Sequence, residues 1–250
     1  MRIDLLLTQK ELFPSRSKAV SAIKEGRVKI DGKQVEKPSL DVSGNETIEV
    51  IAEETSFVSR AGKKLNAALD AFGIDVCGKV AADLGASTGG FTDVLLQRGA
   101  SFVYAVDVGS GQLDEKLRAD KRVRNMENCN ARYLHKETIG EAVDLVVTDV
   151  SFISQKLLYP SVSEILKDDG LFISLIKPQF EVGQAHIGKN GIVRDPDGKL
   201  FRKLLAELQK AGEENGLTLR KTIDSPILGG DGNKEYLGYW TKNSKPGAHE

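Results

Sequence analysis

The chain has 250 residues, with 35 Lys or Arg against 36 Asp or Glu and a formal charge of -1, so it is excluded from proteins that bind nucleic acid by being basic throughout. Its 40% hydrophobic content, 25 Gly and 7 Pro are globular proportions, enough for one substantial core and a small satellite domain. The two cysteines, Cys77 and Cys129, rule out a dense disulfide scaffold, and no window reaches 18 apolar residues; a cytoplasmic protein with no stable membrane association is expected.

Residues 1 to 56 differ in texture from the rest of the chain. In FPSRSKAVSAIKEG the apolar positions Ala19, Val20, Ala22 and Ile23 fall on a helical period, with Ser15 or Ser17 as cap and Gly26 as stop. RVKIDGKQV then alternates Val28 and Ile30 with Arg27 and Lys29 before an Asp31-Gly32 turn, which predicts a tight hairpin. Between Met1 and Leu40 stand nine basic and five acidic residues, while residues 41 to 56 hold five acids and no base. Arg16, Lys18, Lys24, Arg27, Lys29 and Lys33 gather on one helix and one turn, a phosphate-binding footprint or an ordinary solvated face.

The order RIDLLLTQ, SRSKAVSAIKEGRVKIDGKQVEKPS and ETIEV resembles the small RNA-binding module first described in ribosomal protein S-four. Asp31 stands where Asn is frequent in that family, at a turn that accepts either. The resemblance covers about one fifth of the chain, and it implies a structured RNA partner and an RNA-binding role for those six basic residues.

The boundary with the second domain is soft and expected near Glu54, giving domains 1–56 and 57–250. Leu65, Ala68, Leu69 and Phe72 form an i, i+3, i+4, i+7 stripe, predicting a helix from near Ser59 to near Gly73. From Val80 onward strand and helix signals alternate. The strands VAADLG, SFVYAVDV, VRNME, AVDLVVTDV and LFISLIK interleave with the helices GFTDVLLQRG, SGQLDEKLRA, QKLLYPSVSEILK (bent at Pro160) and KLFRKLLAELQKAGEENG. This predicts an α/β domain with a mostly parallel sheet covered on both faces. LRKTIDS and KEYLGYW supply two further strands, the last antiparallel, and the tail NSKPGAHE reads as disordered.

VAADLG runs into ASTGGFTDVLLQ, placing Gly85, Gly89 and Gly90 at a strand-to-helix turn where backbone amides approach a ligand. Asp107 ends the next strand, 22 residues after Gly85, where a carboxylate accepts both hydroxyls of a ribose. Together they indicate a nucleoside cofactor. The spacing G-x-x-x-G-G is not the dinucleotide fingerprint. Asp149 closes LVVTD and Lys177 closes LFISLIK before Pro178, so both charges stand at the strand ends that border the same crevice.

SRAGKKL, DLGASTGGF, VVTDVSFIS, LIKPQFEVG and KEYLGY resemble the matching stretches of the TlyA-type family, described both as hemolysin A and as ribosomal RNA 2'-O-methyltransferases, whose larger domain is similar to the FtsJ-type enzymes. The resemblance implies a Rossmann-like S-adenosylmethionine-dependent methyltransferase fold behind a small N-terminal α+β RNA-binding domain. It carries a Lys-Asp-Lys-Glu tetrad onto Lys64, Asp149, Lys177 and Glu235; the step from the serine of the SR pair favours Lys64 over its neighbour Lys63. Ala61-Gly62 departs modestly from the more frequent SRGGxKL and SRGAxKL.

On this reading Asp83, Gly85, Ala86, Ser87, Gly89, Gly90, Phe91, Asp107 and Asp149 bind S-adenosylmethionine, with Asn128 or Asn130 at the adenine. Lys177 is the general base toward a 2'-hydroxyl, steered by Asp149, with Glu235 orienting Lys64 or the ribose. The resemblance further suggests cytidines of ribosomal subunits as targets. No metal is needed, and His135, His186 and His249 form no spaced metal set with the cysteines. Seven Lys or Arg against two acids between Lys116 and Lys136 make a second basic patch, and EVGQAHIGKNGIVRDPDG is a loop long enough to close over a substrate. A dehydrogenase accounts for the glycine turn alone, a pore-forming hemolysin lacks a long apolar stretch, and a noncatalytic ribosome-binding protein leaves the tetrad unused.

Overall fold

Ala81, Val103, Leu145 and Ile173 on one side of a single sheet, and Ala82, Tyr104, Val146 and Phe172 on the other, are all buried, so both faces of that sheet are covered. The computed structural model describes residues 1–13, 15–24, 26–51, 57–188, 190–230 and 232–243. The soft boundary near Glu54 and the tail from residue 244, with His249, lie outside the described residues. The chain divides into two compact units, Met1–Ser56 and Phe57–Glu250.

The first unit contains α1 (Ile3–Gln9), α2 (Arg16–Lys24), β1 (Val28–Ile30), β2 (Lys33–Gln34) and β3 (Ile48–Val50), with its antiparallel strands ordered β2-β1-β3. The Ser15 hydroxyl accepts from Lys18 N at 3.3 Å, so Ser15 caps α2. Asp31 and Gly32 both take positive φ, 48° and 77°, as a two-residue hairpin turn requires, and Asp31 Oδ1 accepts from Thr47 N at 2.9 Å. Ile3, Leu6, Leu7, Ala19, Ala22, Ile23 and Val28 form the unit's core. The helix α1 lacks a long apolar period: three consecutive leucines place Leu6 and Leu7 inside and leave Leu5 exposed.

The second unit runs α3 (Ala61–Phe72), β4 (Val80–Leu84), α4 (Gly90–Gln97), β5 (Phe102–Val106), α5 (Glu115–Arg118), β6 (Val123–Met126), α6 (Lys136–Ile139), β7 (Val143–Thr148), α7 (Tyr159–Ile165), β8 (Leu166–Ile176), α8 (Pro178–Glu181), α9 (Lys199–Glu213), β9 (Leu217–Asp224) and β10 (Tyr236–Lys242). The sheet order is β6-β5-β4-β7-β8-β10-β9. Its first five strands are parallel, and β10 is antiparallel to both β8 and β9. Leu65, Leu69, Val94, Leu95 and Leu117 from α3, α4 and α5 cover one face; Val162, Leu204 and Leu208 from α7 and α9 cover the other, around Trp240. This is a Rossmann-like α/β architecture, in which strand order reverses beside β4 and opens a crevice at the strand ends.

Two element expectations are corrected. SGQLDEKLRA is helical only over Glu115–Arg118, because Asp114 Oδ1 accepts from Lys116 N at 2.9 Å and starts the helix there. QKLLYPSVSEILK is a 3-10 turn over Gln155–Leu158 followed by α7, and its end belongs to β8. Pro160 sits in the first turn of α7, where a missing N–H costs no bond, so it starts a helix rather than bending one. Among the described residues no helix is long and apolar enough to cross a membrane.

Candidate active site

The end of β4 and the turn after it build the first wall. Gly85 has φ +87° and Gly89 φ +93°, left-handed conformations that disfavour any side chain. A Cβ on Gly85 would stand 3.0 Å from the Asp149 carbonyl, so the chain here passes closely against the end of β7. The absent side chains of Gly89 and Gly90 have another use: a Cβ on Gly89 would strike Leu113 and Leu117, and one on Gly90 would strike Ser59. These two glycines admit packing from α5 and from the segment leading into α3, a structural role that the glycine pattern alone does not separate from ligand approach.

Asp83 is fully buried. Its Oδ2 accepts from Thr92 N at 2.9 Å and Thr92 Oγ1 at 2.8 Å, while Oδ1 has no hydrogen-bond partner. Burial first, with the carboxylates of Asp149 and Asp107 adding, pushes this carboxyl up to about 7 despite the Thr92 bonds. Asp83 lines a cavity of about 220 Å³ with Ser59, Ala86, Phe91, Ser151 and Lys177.

A second cavity of about 500 Å³ opens on the other side of the glycine turn, lined by Val106, Asp107, Cys129, Asn130, Ile153 and Leu158. The two cavities share Gly85, Ser87, Asp149 and Ser151. Asp107 accepts from Ser87 N at 2.8 Å and Gly109 N at 2.7 Å, which fixes its carboxylate and leaves lone pairs for further donors. Asn130 Oδ1 caps the 3-10 turn at Arg132 N, 3.1 Å away. Of the residues expected at the cofactor, Gly89 and Asn128 line neither cavity; Asn128 instead takes φ +53° and donates its N–H to Gly109 O.

At the junction of the cavities Lys177 Nζ lies 2.6 Å from Asp149 Oδ1 and donates to Ser151 Oγ at 2.8 Å. Lys64 and Glu235 form a second pair at 2.6 Å, buried, with side chains 10% and 3% exposed. The β8–β10 ladder brings Tyr236 opposite Ile176, so the next step sets Glu235 across from Lys177. The four residues of the expected tetrad thus form two ion pairs at one end of the sheet. Lys64 and Glu235 line neither cavity.

Sequence reasoning passed over Ser151 and Phe152. Phe152 is 87% exposed, holds φ +66°, lines the larger cavity and meets the ring of Phe180 at 5.1 Å. An exposed phenylalanine in a left-handed conformation costs about 1 kcal/mol or more and has no burial to offset it. The only trace in the sequence was VSF directly after Asp149.

In the first unit, Arg16, Lys18, Lys24 and Lys33 are exposed and Arg27 and Lys29 are half-buried. Arg16 Nε is bound to Asp4 Oδ2 at 3.0 Å, and Arg2 holds the same carboxylate at 2.9 Å. Asp4 has no exposed surface, and hydrogen bonds from Arg2 and then Arg16 keep its carboxyl below the ordinary range against the cost of burial. Arg2 and Asp4 were not anticipated, because a single acid among leucines carries no pattern.

The FtsJ-like methyltransferase family model matches residues 57–242, and the S4 domain model matches residues 1–48. The 16S/23S rRNA (cytidine-2'-O)-methyltransferase TlyA of Mycobacterium tuberculosis is 44% identical over 94% of this chain and 88% of its own length. The chain belongs to the TlyA family of FtsJ-like methyltransferases. The family also includes Hemolysin A of Brachyspira hyodysenteriae, 40% identical over 96% of this chain and 99% of that one. A solved structure of a presumed hemolysin from Streptococcus thermophilus superposes with a TM-score of 0.77 at 40% identity, covering 98% of this TlyA-family chain and 90% of the other.

Proposed function

We propose that this chain transfers a methyl group from S-adenosylmethionine to a ribose 2'-hydroxyl of ribosomal RNA, with a cytidine as the target nucleotide. The observation that carries this reading is the Lys177–Asp149 pair at the junction of two cavities, one ending on an unpartnered buried carboxylate oxygen and the other on a backbone-anchored carboxylate.

The residues present fit the cofactor. Asp83 Oδ1 is an acceptor with no partner of its own, suited to an α-ammonium. Asp107 retains acceptor capacity for ribose hydroxyls, and Val106, Ile153 and Leu158 offer an apolar slot for adenine. S-adenosylmethionine supplies an electrophilic methyl group and a positive charge.

The chain's own groups supply the rest. Lys177 Nζ takes the 2'-hydroxyl proton, and Asp149 orients the amine and stabilises the ammonium that results. Ser151 Oγ accepts from the same nitrogen and fixes its second direction, so the side chain is held in one orientation rather than free to rotate. Glu235 and Lys64 hold the neighbouring strand end and α3 together beside it. Phe152 is a platform for a base, since stacking on an exposed ring serves any nucleotide. The first unit carries the RNA-binding residues Arg16, Lys18, Lys24, Arg27, Lys29 and Lys33, a backbone-directed set that positions folded ribosomal RNA. Both cysteines are free thiols, which fits a reducing cytoplasmic setting.

The test is methyl transfer from radiolabelled S-adenosylmethionine to purified ribosomal subunits, followed by mapping of alkali-resistant linkages. The expected product is a 2'-O-methylcytidine in ribosomal RNA. Label on a base, or on no RNA at all, overturns the reading.

A further inference from the structure

The loop after β7 and the helix after β8 each carry half of the Lys177–Asp149 pair. Residues 149 to 154 bring Asp149, Ser151 and Phe152; α8 starts directly after Lys177 and brings Phe180. Besides Lys177 and the Phe152–Phe180 contact, Glu181, at the last position of α8, joins them. Its Oε2 accepts from Ser154 Oγ at 2.6 Å and its Oε1 from Gln155 N at 2.7 Å. These are short charge-assisted bonds, and they reach across 26 and 27 residues of sequence.

At its other end the same loop is held by Asp149 N, which donates to Leu84 O. Between the two anchors lies Phe152 in its left-handed conformation, against the ring of Phe180 one residue before Glu181. A strained residue persists only where its surroundings over-determine it. Glu181 is partly buried, and burial raises its carboxyl above the ordinary range although Ser154, Gln155 and Lys156 oppose the shift. The Tyr159 hydroxyl, buried nearby and without a partner, is itself raised by burial and by the Glu181 charge. A carboxylate placed at that cost calls for a geometric return.

We propose that Glu181 is a positioning residue: it ties the loop after β7 to the helix after β8, and so sets the distance between the Lys177–Asp149 pair and the Phe152 platform on which the acceptor nucleotide rests. This rests on the methyltransferase reading for its consequence, though the tie itself is independent of it. Glu181 lines neither cavity; it acts through Ser154 and Gln155.

The full chain is compared as wild type, Glu181→Gln, Glu181→Ala and Ser154→Ala. Glutamine keeps an acceptor for Gln155 N and an amide N–H toward Ser154, so it retains the tie; alanine leaves both donors unpaired. In Glu181→Ala we expect kcat lowered about tenfold or more and KM for ribosomal subunits raised, with S-adenosylhomocysteine affinity changed by less than about twofold. Glu181→Gln keeps kcat within about threefold, and Ser154→Ala falls between. Mass-resolved hydrogen exchange gives the readout that needs no activity: amides 150–157 exchange at least about tenfold faster in Glu181→Ala, while those of β7 and β8 do not change. Unchanged exchange over 150–157, a general loss of protection across the sheet, or a Gln variant as impaired as Ala overturns the proposal. If Glu181→Ala does not fold, Glu181→Gln and Ser154→Ala decide by the same exchange measurement. Faster exchange in a protein whose wild type methylates no RNA overturns the function and leaves the tie standing.

Discussion

Lys177 Nζ sits 2.6 Å from Asp149 Oδ1 and 2.8 Å from Ser151 Oγ, so the amine at the end of β8 is fixed by two groups from the loop after β7. An amine held in one orientation on a rigid sheet end is placed for a single proton transfer. Lys177→Ala is expected to lower single-turnover methyl transfer by about a hundredfold to ten-thousandfold, the usual contribution of a positioned acid-base group. S-adenosylhomocysteine binding, read by calorimetry, stays within about twofold. Transfer at the wild-type rate would assign the base elsewhere.

Asp83 predicts a pH effect on cofactor binding. Its carboxyl, pushed up to about 7 in the free protein, must be ionised to accept an ammonium group, so affinity falls as pH drops below that value. With the bound form fully ionised, S-adenosylhomocysteine binds about tenfold more weakly at pH 6 than at pH 8, and Asp83→Asn removes the dependence. The sign for stability is opposite. The folded state keeps a proton that the unfolded chain loses at 3.8, so the free protein becomes less stable as pH rises from 3.8 to about 7. Equal affinities at the two pH values would sink this assignment.

The buried Lys64–Glu235 pair is expected to be costly to halve. Lys64→Ala leaves Glu235, 3% exposed, without its cation, and should destabilise the second unit by about 3–5 kcal/mol in denaturant unfolding. Lys64→Ala with Glu235→Ala recovers part of that loss, because no lone buried charge remains. A double variant no more stable than Lys64→Ala would show that the pair contributes through packing alone.

Phe152 sets stability against function. Glycine removes the left-handed penalty, so Phe152→Gly should leave the melting temperature unchanged or higher while raising KM for ribosomal subunits about fivefold or more, the loss of one stacked base. Unaltered KM would mean that the ring carries no nucleotide.

Arg16 braces the buried Asp4, so Arg16→Ala should lower the stability of the first unit as well as RNA affinity. Lys18→Ala with Lys24→Ala should weaken RNA binding evenly across sequences and flatten its salt dependence by about one to two counterions, with folding retained. Loss of circular dichroism in the lysine pair would point to a structural role.

Much of the fold is legible in the residues alone. The central strands β4, β5 and β7 and the second half of β8, Leu171–Ile176, coincide with apolar runs, because residues buried on both sheet faces leave no alternation to blur. The Asp31-Gly32 turn is equally plain, since only such residues accept positive φ in succession. Elements decided by tertiary neighbours are not legible: α1 is set by two leucines meeting a core, and the end of α7 by strand pairing at Leu166. At the site, charges at strand ends are visible because a core does not tolerate them. Phe152, Ser151 and Glu181 are not, since each matters through a loop whose path no periodicity encodes.

The antiparallel direction of β10 has a temporal consequence. A parallel strand reaches the crevice at its last residue, whereas β10 reaches it at its first, so Glu235 arrives at the crevice before the strand that anchors it has been made. During synthesis the central strand β8 keeps a bare rim until residues 236–242 leave the exit tunnel and cover it. Until then β8 has the edge beside Lys177 unpaired, so the rim of the crevice is closed by a strand made about 60 residues after the amine it borders.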